Sequence, residues 1–498
     1  MTKRGKSLVL ATISVDRSSR TPLYFQLYRE LREAIETGRF RAKTQLPSSR
    51  ALAQDLGLSR KTVVDAFEQL AAEGYLESTV GSGTYVTGAL PEVMPASQLN
   101  QGKTDDSGVT RRPSSPRGKK IAAASPFFPA VKAMPFRHGL PALDAFPLKL
   151  WAQLAGKRLR GLSRELLGYG DSKGYRPLRE AIAWYLGTAR AVRCEPEQVV
   201  VVAGSQQAIY LTALVLLDKG DSVWIEDPGY LGARGAFQIA GAHLIPVPVD
   251  EQGLRVSEGL RLDPNARLVY VTPSNQYPLT VTMSLSRRLE LLEWARNSGA
   301  WIVEDDYDSE FRYNSRPIAS LQGLDRYGRV IYLGTFSKLL APTLRIGYFV
   351  LPPELVDVFS VASSLISRHP PSLEQIVLTD FIEQGHLARH IRRMRTLYME
   401  RQADFIDSAR SELGGLLEIT APDAGTHVVA KLPRRVDARV AARSAELHGV
   451  ESRPLPNYFL NGSGPSGLIL GYGAFTKRQT RTGMQKLAVA LGQRERLL

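Results

Sequence analysis

Two hydrophobic periodicities divide the chain. From Pro22 to about Leu76 apolar residues recur at helical spacing: in TPLYFQLYRELREAIETGRF, Tyr24, Tyr28, Leu31 and Ile35 share one face, and Gly38 supplies a stop. A second helix is predicted from LPSSRALAQDLG, where Ser48 or Ser49 caps the exposed amides after Pro47 and Gly57 ends the run. A third begins at Ser59, with Val63, Phe67 and Leu70 pointing inward while Arg60, Lys61 and Thr62 project from its first turn. GYLESTVGSGTYV then reads as a hairpin with Gly81 and Gly83 at its tip, where missing side chains permit close backbone approach.

Beyond Met134 the pattern changes. Short apolar runs (QVVVVAG, DSVWIEDP, ARLVYVTPSNQ, AWIVEDDYD, RVIYLGTFSK, RIGYFVLP) alternate with helix-length segments, the rhythm of a mostly parallel α/β sheet. From about Pro370 two long helical stretches and then shorter strands predict a small C-terminal α+β subdomain. Between the two patterned zones lies a stretch rich in Pro, Ser, Gly and charge with little to bury, and it reads as a flexible linker. Its cationic run, Arg111, Arg112, Arg117, Lys119 and Lys120, reads as a solvated tether. The expected organisation is therefore multidomain: a small helical unit over 1–88, a linker over 89–133 and a large domain over 134–498.

Composition narrows the function. With 498 residues and 43% hydrophobic positions the chain has enough apolar material for two cores. Its net charge of +15 favours a polyanionic partner without choosing between DNA, RNA and an anionic membrane surface. The single cysteine, Cys194, excludes an internal disulfide framework and a cysteine-based zinc site, and it fits a reducing cytoplasm. The apolar stretch Leu8 to Ile13 is soon broken by Asp16 and Arg17, so neither a secretory signal nor a membrane span is expected, and no metal site is predicted.

For the first unit, the cations Arg60 and Lys61 stand with Thr62 at a helix N-terminus, where the helix dipole also favours a polyanion. The order of helix, capped helix, short turn, basic helix and glycine wing resembles the GntR-type winged helix-turn-helix, carried by PSSRALAQDLGLSRKTV between about Pro22 and Val86. The resemblance implies DNA contacts from Arg50, Arg60 and Thr62, with Gly83 of the wing beside the backbone. Ser48, Ser59 and Lys61 complete the expected double-stranded DNA surface.

For the large domain, GTFSKLLAPTLRIGY places Lys338 just after a predicted strand. An aldehyde cofactor such as pyridoxal 5'-phosphate needs an amine for Schiff-base attachment, a carboxylate for its pyridine nitrogen, an anion cradle and a stacking aromatic. Asp305 ends a buried apolar run, where a lone carboxylate is costly and a protonated ring nitrogen a fitting partner. Tyr307, two residues on, falls on the same side, whereas Glu304 and Asp306 face away. Gly204, Ser205 and Gln206 form a strand-to-helix turn suited to phosphate, with Thr335, Ser337 and Arg345 completing the cradle. Tyr230 in DPGY is the stacking candidate, and Arg234 is within reach of a bound carboxylate.

These segments resemble fold type I aminotransferases over about 134–490, and most closely the MocR/GabR subfamily of GntR regulators, through DPGY, EDDYDSEF and TFSKLLAPTLRIGY. The resemblance implies an aldimine at Lys338, Asp305 on the pyridine nitrogen, Tyr307 on the phenolic oxygen, and Arg345 with Thr335 on phosphate. It also implies a homodimer paired head-to-tail, a promoter with repeated or palindromic half-sites, and an effector that is an amine or the cofactor itself. Two departures touch the pocket: Asn275 stands where the family carries histidine, and Thr280 where it carries glycine. The C-terminal strand GLILGYGAF shows Ile469 where carboxylate-binding members carry arginine, leaving Arg234 or Arg453 as substitutes. The principal expectation is a sensor that regulates transcription; a working aminotransferase with an accessory DNA-binding unit is the alternative.

Overall fold

The computed structural model describes residues 13–79, 83–88, 113–123, 134–313 and 319–492. They fall into two compact units divided between Pro113 and Ser114.

In the first unit the helices span Leu23–Glu36, Ser49–Asp55 and Arg60–Ala72. They are followed by an antiparallel hairpin of β1 (Leu76–Thr79) and β2 (Gly83–Val86) that pairs Leu76 with Val86 and Thr79 with Gly83. Ser48 caps the second helix by accepting from the Ala51 amide, and Ser59 caps the third by accepting from that of Thr62. The buried stripe of the first helix is centred on Leu27, Leu31 and Ile35 rather than on Tyr24, which is 40% exposed. Three to four residues per turn place Leu27 and Tyr28 together against the core, so Tyr24 at the first turn is left to pack edge-on with Phe25. Ile13 also enters this core. The wing tip, including Gly81, lies outside the described residues, as do Arg111 and Arg112.

Part of the stretch read as a linker is helical, over Pro116–Ala123. The local cause is a cap: Ser115 Oγ accepts from the Gly118 amide, and Pro116 occupies the first helical position.

The large unit is built on eight strands: β3 (Val199–Val202), β4 (Ser222–Asp227), β5 (His243–Asp250), β6 (Gly253–Leu254), β7 (Leu268–Val271), β8 (Trp301–Asp306), β9 (Val330–Thr335) and β10 (Gly347–Val350). Their order across the sheet is β3-β10-β9-β8-β7-β4-β5-β6. The five strands β9-β8-β7-β4-β5 run parallel, while β10 is antiparallel to both its neighbours. Apolar cores cover both faces: Val199 and Val201 of β3 enter one, Val200 and Val202 the other. Two-sided burial is why these strands read as unbroken apolar runs.

The C-terminal part is a four-stranded antiparallel sheet in the order β11-β12-β14-β13, from β11 (Glu418–Ile419), β12 (His427–Lys431), β13 (Arg453–Pro454) and β14 (Gly467–Gly471). The long helix His386–Glu412 leads into it, and Phe136 joins its core. The Gly471 amide donates to the Phe136 carbonyl, which draws the segment after Met134 across the chain to the C-terminal sheet. Among the described residues no helix is long and apolar enough to cross a membrane.

Candidate functional site

A cavity of ≈ 490 Å³ opens where the carboxyl ends of β4, β7, β8 and β9 meet the segment following Phe136, the usual ligand position in an open α/β sheet. Lys338, Asp305, Tyr307, Tyr230, Ser205, Gln206, Thr335, Ser337 and Arg345 all reach its wall, although they come from four separate stretches of sequence. Lys338 is half-buried, and its Nζ donates to the Gly139 carbonyl. Burial pulls its pKa below the ordinary lysine value, against the attraction of Asp308 and Asp305, and so favours the neutral, nucleophilic amine.

Asp305 is 5% exposed. One oxygen accepts from the Tyr270 hydroxyl at 2.5 Å, while the other is buried without a partner. Burial pushes this carboxyl up to about 6; the Tyr270 bond opposes the rise, Asp306 adds to it and Lys338 opposes it. The Tyr307 hydroxyl is a second buried group without a partner, and burial holds it well above the usual phenol range. A ring that offers a cationic N–H to Asp305 and an oxygen to Tyr307 satisfies both orphans, so pyridoxal phosphate fits the donor set. Glu304 and Asp306 point to other tasks: Glu304 accepts from the Leu321 and Gln322 amides, and Asp306 pairs with Arg190 at 2.7 Å.

The anion cradle begins at Gly204, whose φ of +92° excludes most side chains. A Cβ there would stand 3.0 Å from Arg345 Nη2, and that guanidinium also donates to the Ala203 carbonyl at 2.7 Å. The helix Ser205–Leu216 starts at this point with its amides facing the cavity end of β3. Tyr230 Oη donates to Gln206 Oε1 at 3.3 Å, and burial raises its pKa to about 12.

Three expected residues are not brought to the wall. Arg234 spends its guanidinium on the Phe459 and Leu460 carbonyls, both at 3.2 Å. Arg453 pairs with Glu451 at 3.2 Å. Asn275 is buried and gives its amide to Asp308. In each case a nearby acceptor already engages the donor, and the side chain does not line the cavity.

The structure adds residues that sequence reasoning did not assign. Arg137, His138 and Gly139 arrive on the segment pinned by Gly471, while Tyr270, Tyr277, Asp308 and His427 come from β7, β12 and the loops around β8. Tyr270 and Asp308 sat inside segments already singled out, whereas nothing in the local sequence marked His427. His138 is held well below the ordinary imidazole range, chiefly by burial. His427 is lowered to about 4 by burial, against its hydrogen bond to the Pro278 carbonyl, so both rings are neutral near pH 7.

On the first unit Arg50, Arg60 and Lys61 are exposed, and Lys61 reaches Asp65 at 3.0 Å. The Ser48, Ser59 and Thr62 hydroxyls lie beside them at the two helix starts, with Ser59 and Thr62 Oγ atoms 2.8 Å apart. Gly83 opens the second wing strand at φ +117°.

Residues 23–86 match the family described as bacterial regulatory proteins, gntR family, and residues 136–454 match aminotransferase class I and II. The probable rhizopine catabolism regulatory protein MocR of Rhizobium meliloti is 42% identical over 96% of this chain and 95% of its own. The HTH-type pyridoxine biosynthesis transcriptional regulator PdxR of Corynebacterium glutamicum is 30% identical over 96% of this chain and 99% of its own. Among solved structures, the α-aminoadipate aminotransferase LysN of Thermus thermophilus, complexed with N-(5'-phosphopyridoxyl)-L-leucine, superposes with TM-score 0.68 at 32% identity. It covers 72% of this chain and 92% of its own.

Proposed function

The chain belongs to the MocR-type GntR regulators, in which an aminotransferase class I and II domain follows a gntR domain, and from that premise we propose that it is a DNA-binding transcriptional regulator whose large domain senses pyridoxal phosphate or an amine captured on it. The observation that carries the reading is the buried pair of orphans, Asp305 Oδ1 and Tyr307 Oη, facing the cavity that Lys338 enters. Bound pyridoxal phosphate supplies an aldehyde that a primary amine captures reversibly. Around it, Lys338 holds the reactive nitrogen, Asp305 keeps a proton on the ring nitrogen, and Tyr307 donates to the ring oxygen. Arg345, Thr335 and Ser337 would join the Ser205 and Gln206 amides in holding phosphate, and Tyr230 would pack against the ring.

A ligand biases two states of the protein only by binding them unequally, so the coupling between cavity and DNA is worth about 1–3 kcal/mol. Arg50, Arg60, Lys61 and Gly83 support contact with a DNA groove, since exposed cations stand at the starts of the second and third helices and a bare wing backbone follows them. The exposed Leu167, Tyr169 and Leu365 support homodimerisation of the large domain, because apolar side chains this open on one unit favour a second copy. A head-to-tail pair would present two readers to a promoter with repeated or palindromic half-sites.

Titrating purified protein with pyridoxal phosphate tests the reading. The native chain should develop a visible absorbance band, Lys338→Ala should not, and an amine should move the band without steady keto-acid production. Turnover of amino-acid and keto-acid pairs at ordinary enzymatic rates would instead make the chain an aminotransferase.

A further inference from the structure

One carboxylate on the cavity wall has no part in the set just described. Asp308 stands just past β8, is 3% exposed and lines the same cavity as Lys338. Burial raises its pKa to about 8, so near neutrality it is a protonated acid, and where it ionises its charge acts on the Lys338 amine ahead of that of Asp305. Both of its oxygens accept from a single group, Asn275 Nδ2, at 3.0 and 2.9 Å.

A carboxylate offers about four acceptor positions, so one amide leaves it short of donors. Asn275 Oδ1 is a further buried acceptor with no donor of its own. Gly425, at φ +89°, closes the remaining side: a Cβ there would lie 2.6 Å from Asn275 Nδ2 and 3.2 Å from Asp308 Oδ2. The acid is therefore held in place by its amide partner and by backbone, and it cannot swing out to water. Engaging Lys338 with a cofactor aldehyde ties up an amine that faces this acid, and a buried acid short of donors is costly.

The surroundings give a second anion little to pair with, Arg137 on the wall already facing Glu451 at 3.8 Å. Arg234 and Arg453 are occupied elsewhere, and Ile469 of β14 is buried and apolar. His138 and His427 carry no charge near neutrality.

We propose that Asp308, positioned by Asn275, selects an effector carrying a second hydrogen-bond-donating group, an ammonium or a hydroxyl, besides the primary amine. The inference rests on the pyridoxal-phosphate reading of the cavity. A hydrogen bond from a cationic donor to this buried acid is worth roughly 10- to 100-fold in affinity, and one from a neutral hydroxyl about 10-fold or less.

The test uses the full chain loaded with pyridoxal phosphate and four probes of equal carbon length: a linear diamine, an amino alcohol, an ω-amino acid and an alkyl monoamine. The diamine should move the cofactor band at roughly 10- to 100-fold lower concentration than the monoamine, or the amino alcohol at up to about 10-fold lower, and which of them leads identifies the donor. Asp308→Asn should collapse that preference while keeping the band. Asn275→His, which sets a ring N–H against Asp308, should also weaken it, so the idea stays testable if one variant fails to fold. Equal affinities for all four probes, tightest binding of the ω-amino acid, or a preference that survives both variants overturns the inference. Absence of the cofactor band from the native chain would instead overturn the reading beneath it.

Discussion

Replacing Asp305 by Asn should make the cofactor-free protein more stable while weakening its grip on the cofactor. Burial raises this carboxyl from 3.8 to about 6. A carboxyl whose folded pKa lies above its unfolded value binds protons better when folded. Its burial is therefore costless while it is protonated, and the penalty grows as pH rises from about 4 through 6. Well above pH 6 the penalty reaches about 3 kcal/mol, at about 1.4 kcal/mol for each pH unit between the two values. Asparagine has no charge to desolvate, and its amide oxygen can still accept from Tyr270, the partner at 2.5 Å. Thermal unfolding without cofactor at about pH 7.5 should thus show Asp305→Asn melting several degrees above the native chain. The gap should shrink to about 1 kcal/mol near pH 4.5. Glu226 and Glu304, each raised to about 7 by burial, and Asp308, raised to about 8, titrate in both proteins and largely cancel in the comparison. With saturating pyridoxal phosphate the order should narrow or reverse, because the native carboxylate then has its cation. A cofactor-free variant that melts at or below the native temperature at about pH 7.5, or a gain independent of pH, would refute the argument.

Gly204→Ala forces a side chain into φ +92° and to 3.0 Å from Arg345; we expect about 1–2 kcal/mol lower stability and weaker phosphate retention, read by melting and by cofactor titration. Thr280 holds φ +63°, which costs a β-branched residue about 1–3 kcal/mol, whereas glycine adds about 0.4–1 kcal/mol of unfolded-state entropy. Thr280→Gly should therefore raise the melting temperature, and a fall would show that the conformation is not strained. Ser59→Ala removes the acceptor for the Thr62 amide and should cost about 1 kcal/mol in the first unit. Arg60→Ala should leave that stability unchanged while weakening DNA binding and relaxing its sequence preference in a gel-shift assay.

Local sequence determined a good deal. The caps at Ser48 and Ser59, the unbroken apolar runs of the sheet and the strand-end positions of Asp305, Tyr307 and Lys338 each follow from period, propensity or the two-sided burial of a parallel strand. The helix at Pro116–Ala123 was legible too, in its Ser-Pro start, but compositional reasoning over a longer window hid it. The core position of Leu27, in place of Tyr24, depended on where the third helix packs.

What only the tertiary structure decided is which polar groups face one another. Arg137 and His138 reach the cavity because Gly471, far along the chain, accepts no side chain and pins the Phe136 carbonyl. Arg234 and Asn275 leave it because carbonyls or a carboxylate from other segments take their donors, whereas Arg453 is held by Glu451 only two residues away. Secondary structure and strand ends are set by neighbours along the chain, and so they are written locally. A buried donor takes whichever acceptor the fold brings nearest, and that choice exists only once the segments have been folded together.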